Sequence, residues 1–116
     1  MIRIPTSELL DTDAGTPAEV AASLNDLRRI NRWFGGTSTT IDLVRRVARA
    51  DGDSSVRLSL LEIAAGSGYV PRSAREHLAR QGTDLQVTLL DRAASHLRAS
   101  VTNGDAAVVA DAGKLP

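Results

Sequence analysis

Apolar and polar positions change period twice along this chain, and the two changes divide it into three stretches. Residues 1 to 15 (MIRIPTSELLDTDAG) hold no sustained period and contain a proline and a glycine, which predicts an irregular start. Helical spacing begins at Thr16. Val20, Leu24, Leu27, Ile30 and Phe34 recur every three or four residues, Thr16 and Glu19 form a capping-box pattern around Pro17, and Gly35 and Gly36 predict the stop. A second helix is predicted over about Thr40 to Ala50, with Ile41, Val44, Val47 and Ala48 inward, Arg45, Arg46 and Arg49 solvated, and Gly52 at its end.

From Val56 the period falls to two and then vanishes. VRLSL alternates and LLEIAA is continuous, the pattern of a strand buried on both faces. A helix from Pro71 to Arg80 follows, closed by Gly82. LQVTLLD (85–91) reads as a second strand and Ala93 to Ser100 as a short helix. The Asn103-Gly104 pair marks a turn, and AAVVAD (106–111) reads as a third strand. Two helices followed by alternating strands and helices predict an α/β fold with a parallel sheet. The implied division is an irregular N-terminus (1–15), a helical cap (16–55) and a sheet-containing part (56–116).

Composition narrows the function classes. The chain has 116 residues, 42% of them hydrophobic, enough for one modest core. Fourteen basic residues balance fourteen acidic ones, and the two signs mix along the whole length. No basic field predicts nucleic acid or an anionic membrane as partner. Without cysteine there is no disulfide, thiol catalysis or Cys-ligated metal, and no other metal-ligand spacing stands out. Neither a signal peptide nor an eighteen-residue apolar run occurs, so the expected location is cytoplasmic.

Parallel crossovers bring the carboxyl ends of all strands to one edge of the sheet, where open α/β folds bind ligands. Here those ends carry Glu62 with the glycine turn Gly66-Ser67-Gly68, then Asp91, then Asp111. Glycines let a ligand approach the main chain, and Asp91, 23 residues beyond Gly68, stands where a carboxylate can accept two ribose hydroxyls. A nucleoside-containing cofactor is the leading expectation. The dinucleotide pattern G-x-G-x-x-G fails because Pro71 occupies the third glycine's place, and the Walker and G-x-S-x-G patterns fail as well.

The segment Glu62-Ile63-Ala64-Ala65-Gly66-Ser67-Gly68, the LLD ending at Asp91 and the ADAGKLP containing Asp111 together resemble the three landmarks of the class I S-adenosylmethionine-dependent methyltransferases. NRWFGG is similar to the helical cap of bacterial small-molecule members. The resemblance implies a Rossmann-like three-layer α/β/α fold, S-adenosyl-L-methionine as cofactor and methyl transfer to a small-molecule acceptor. It implies that Gly66, Ser67 and Gly68 form the cofactor loop and that Glu62 orients it and the methionine ammonium. By the same resemblance Asp91 with Arg92 takes the ribose, and Asp111 with the main chain of Ala112 reads adenine. Ala64 departs from the family, which has glycine there, and Tyr69 would stand near the methionine end. No catalytic residue is assigned.

Family members continue beyond the third landmark with further strands, so the resemblance covers the first, cofactor-binding half. With no fourth strand beside it, the first strand would keep a free edge, and a homodimer is one way to cover it. Two alternatives stay open: a nucleotide- or NAD-binding oxidoreductase domain, and a non-catalytic interaction module. His77 and His96 are expected to be exposed or half-buried without partners. Trp33 and Phe34 are expected to pack under the helical cap, and Arg28, Arg29 and Arg32 to form a solvated face.

Overall fold

A computed structural model describes residues 15–51, 57–101 and 105–115. Element order follows the period changes: α1 (Pro17–Trp33), α2 (Gly36–Asp51), β1 (Leu58–Ile63), α3 (Tyr69–Ala79), β2 (Leu85–Asp91), α4 (Ala94–Val101), β3 (Ala106–Val109), and a 3-10 turn over Ala112–Lys114. The three strands form one parallel sheet in the order β1-β2-β3, with Ile63 beside Leu90 and Asp91 beside Val109. The expected irregular start, Gly52, Val56 and the Asn103-Gly104 turn fall outside the described residues, apart from Gly15.

The capping box forms as its spacing predicts. Thr16 Oγ1 accepts the Glu19 N–H, and the Glu19 carboxylate accepts the Thr16 N–H at 2.9 Å and its hydroxyl at 2.7 Å. These bonds, the hydroxyl's foremost, hold the Glu19 pKa below its ordinary value, so their support is present at neutral pH and is lost as the pH falls through that lowered value. Gly35 (φ 79°) ends α1 in a left-handed turn, but Gly36 begins α2 rather than belonging to a longer break. A Cβ on Gly36 would lie 2.8 Å from Asn31 Oδ1, so the tight junction between the helices needs a residue without a side chain there.

A single core joins α2 (Ile41, Val44), α3 (Ala74, Leu78) and α4 (Leu97) to Leu85, Val87 and Leu89 of β2, with Leu58, Leu60 and Ala107 packed against it. All three helices therefore lie on one face of the sheet. Two crossovers of the usual hand that step the same way across a sheet place their helices on the same side. The architecture among the described residues is thus two-layered, and the second helical layer of the expected α/β/α sandwich is not among them.

The other face is open, and this corrects the reading of β1 as buried on both sides. Its residues alternate: Leu58, Leu60 and Glu62 are half-buried towards the helices, while Leu61 and Ile63 remain 50% and 53% exposed. β1 is also an edge strand, paired only with β2. The continuous apolar run marks a strand whose two faces can both be covered, and here one is.

Packing of α1 departs from expectation too. Val20 is buried and Leu24 half-buried, but Leu27 and Ile30 are exposed, and in α2 Val47 is exposed where it was expected inward. Trp33 and Phe34 do not pack beneath a cap; they are 80% and 83% exposed. The reversal at Gly35 turns the chain away immediately after them, so no described element covers the last turn of α1. Arg28, Arg29 and Arg32 are exposed, as expected of a solvated face.

Candidate functional site

The carboxyl edge of the sheet is organised around Asp91. Its main-chain carbonyl accepts the Ala110 N–H, and its Oδ2 accepts the Gly66 N–H at 2.7 Å, so this one residue ties the ends of β1 and β3 to the end of β2. Oδ1 accepts the Ala93 N–H at 3.0 Å, shaping the entry to α4. The same oxygen lies 3.2 Å from Nδ1 of His96, in the first turn of α4.

His96 thus corrects a second expectation. Its side chain is 5% exposed and paired with a carboxylate, and its Nε2 is enclosed without a hydrogen-bond partner. A buried polar atom left unpaired costs about 1–3 kcal/mol, so this nitrogen calls for an explanation. His77 is half-buried, as expected, but lies 3.3 Å from Arg45 Nη2 and 3.2 Å from Gln81 Nε2.

A cleft of about 360 Å³ opens beside this hub. Ala64, Gly66, Asp91, Arg92, Asp111 and Ala112, all expected at the site, line it together with His96. Its apolar walls come from Leu24 and Leu27 of α1, Ile63 and Leu90. The volume lies within the range of small-ligand sites, and the mixture of apolar wall with a few carboxylates is usual for them. Asp111 closes the 3-10 turn, its Oδ1 accepting the Gly113 N–H at 2.9 Å.

The glycine turn explains its own composition. Gly66 (φ 53°) and Gly68 (φ 66°) both adopt left-handed backbone, and Gly68 leads into α3 without a side-chain cap. Ala64 is left-handed as well, at φ 56°. An alanine pays a steric penalty there that glycine does not, and Ala64 is exposed, so its methyl group has little packing to lose. Ala64→Gly should therefore raise stability by about 0.5–1 kcal/mol after allowance for the greater freedom of the unfolded chain, visible as a melting temperature a few degrees higher. An unchanged or lower melting temperature would contradict the strain.

Glu62, Ser67 and Gly68 do not line the cleft. Ser67 borders a neighbouring open basin with Arg28, Tyr69, Arg72 and Arg75, where Arg28 sits 4.9 Å above the Tyr69 ring. Tyr69 therefore joins α1 to the start of α3. Arg72 braces the turn from behind: its guanidinium donates to the carbonyls of Ser67 and, at 3.0 Å, Gly68. Both Arg72 (3.6 Å) and Arg75 (2.7 Å) contact Asp105, whose side chain is fully buried. Neither oxygen of Asp105 receives an aligned hydrogen bond, so charge attraction holds this cluster.

Glu62 faces the helices on the opposite side of β1 from Ile63, and burial raises the pKa of its carboxyl above the ordinary value. A carboxyl raised in the folded state favours folding while protonated, and that advantage is lost as the pH rises from its unfolded value through its folded one. Glu62→Gln should consequently stabilise the chain at about pH 7, with the gain shrinking as the pH is lowered towards about 4. Urea unfolding of both forms across that range measures it; a gain that grew on acidification would overturn the assignment.

No protein-family profile, curated protein or solved structure matches the chain. Among the described residues there is no helix long and apolar enough to cross a membrane and no cluster of three potential metal ligands.

Proposed function

We propose that this chain provides the S-adenosyl-L-methionine-binding part of a Rossmann-like class I methyltransferase that acts on a small-molecule acceptor. The observation that carries the reading is the meeting of three separate strand ends, Gly66 after β1, Asp91 of β2 and Asp111-Ala112 after β3, around one cleft. The residues present fit the group. Leu24, Leu27, Ile63 and Leu90 offer apolar surface to a purine, Asp91 offers a carboxylate to ribose hydroxyls, and Asp111 and Ala112 offer polar edges at the far wall.

S-Adenosylmethionine brings the electrophile, a sulfonium methyl group that an acceptor nucleophile displaces. The work left to the chain is binding and orientation, which accounts for a site built of carboxylates and main chain without a nucleophile of its own. Asp91, held from three sides, keeps its carboxylate in place before a ligand arrives. A dinucleotide is the poorer fit: where its fingerprint has a close-packing glycine, Pro71 is fully buried in the first turn of α3.

Calorimetric titration of the chain with S-adenosylmethionine, NAD and ATP tests this reading. S-Adenosylmethionine should bind most tightly. Tighter binding of NAD would support an oxidoreductase domain instead.

A further inference from the structure

A carboxylate offers about four acceptor positions, and the protein fills three of those on Asp91 with the Gly66 N–H, the Ala93 N–H and His96 Nδ1. Room remains for one more donor. A ribose diol brings two. The ring of His96 lines the same cleft, and because Asp91 can only accept, the shared hydrogen belongs to Nδ1. In the neutral ring the unshared pair then lies on Nε2, the enclosed nitrogen without a partner.

We propose that His96 is a ligand-binding residue: Nε2 accepts one hydroxyl of a ribonucleoside diol while Asp91 accepts the other. This rests on the nucleoside reading above and adds to it a specificity determinant. Asp91 and His96 act as one coupled pair, in which the Nδ1–H bond fixes the ring and the ring limits the carboxylate to a single free position. The pairing also accounts for a histidine in α4 that is almost wholly buried beside a cleft and yet has an unsatisfied nitrogen.

The test compares adenosine, 2′-deoxyadenosine and 3′-deoxyadenosine binding to the full chain and to His96→Asn, whose amide can keep the donor to Asp91 but lacks an acceptor in the Nε2 position. In the unaltered chain, loss of the hydroxyl that meets Nε2 should weaken binding about three- to tenfold. In His96→Asn, adenosine should weaken by a similar factor, and removing that hydroxyl should then cost nothing further. Unchanged penalties for both deoxynucleosides in the variant would overturn the proposal.

Should His96→Asn fail to fold, the ¹⁵N shift of Nε2 in the unaltered chain decides the matter. It should move on adding adenosine and move less with one of the two deoxynucleosides; no movement at saturating adenosine overturns the proposal. S-Adenosylmethionine binding with an unmoved Nε2 would remove only the role of His96. Failure to bind any nucleoside would remove the nucleoside reading along with it.

Discussion

Asp91→Ala should be among the most damaging single substitutions in the chain, acting on stability and binding together. The carboxylate receives the Gly66 N–H, the Ala93 N–H and His96 Nδ1, and the residue is buried. Alanine leaves three donors without their acceptor, a loss of about 3 kcal/mol or more when buried donors go unpaired. For a chain of this size that is a large share of a total stability of about 5–15 kcal/mol. Judged from the sequence, the same substitution would spare the fold, because Asp91 reads there as a ligand residue alone. Its three internal bonds give it both tasks. Asp91→Asn, which keeps one acceptor oxygen, should retain more stability than alanine and still weaken S-adenosylmethionine binding tenfold or more, since hydrogen bonds to a charged acceptor are worth about 1.5–3 kcal/mol each. Urea unfolding and calorimetry on the two variants separate the effects; equal stability of wild type and Asp91→Ala would contradict the hub.

Asp105→Ala should be comparably severe through stability alone. Its fully buried carboxylate faces Arg72 and Arg75, and Arg72 also holds the carbonyls of Ser67 and Gly68. Removing one partner of a buried charge cluster costs about 3–5 kcal/mol, and the partial exposure of Arg75 places this case near the lower figure. The loss should appear as a lower urea midpoint with an unchanged slope. A change below about 0.5 kcal/mol, the usual size for surface substitutions, would show that the cluster contributes little.

How far such features could be read from sequence depends on what kind of physics sets them. Local rules did well: the capping box at Thr16, the strand Leu85–Asp91 and the left-handed glycines after β1 all depend on neighbours within a few residues. The convergence of Gly66, Asp91 and Asp111 followed from topology, because parallel strands share one carboxyl edge. Periodicity identified the apolar side of α1 and of β1 but could not say whether anything would cover it. Trp33, Phe34, Leu61 and Ile63 are exposed for that reason.

His96 was missed because its meaning lies in a turn. Five residues separate it from Asp91, a spacing with no fixed geometry until the chain passes from β2 through the Ala93 N–H bond into α4. An aspartate ending a strand with a histidine in the first turn of the following helix is the signal that could have found it. Ala64 is the converse case. The sequence marks it as a departure from glycine, and only the backbone angle of 56° shows why glycine would sit there more comfortably.

The central claim is that one cleft at the carboxyl edge receives a nucleoside cofactor, and amide chemical-shift mapping on the ¹⁵N-labelled chain tests it most directly. On adding S-adenosylhomocysteine, the amides of Gly66, Asp91, Arg92, Ala112 and Gly113 should shift together, while those of Trp33 to Gly36 at the far end of α1 should not. Saturating ligand that left the first group unmoved, or that shifted only residues elsewhere, would contradict the account.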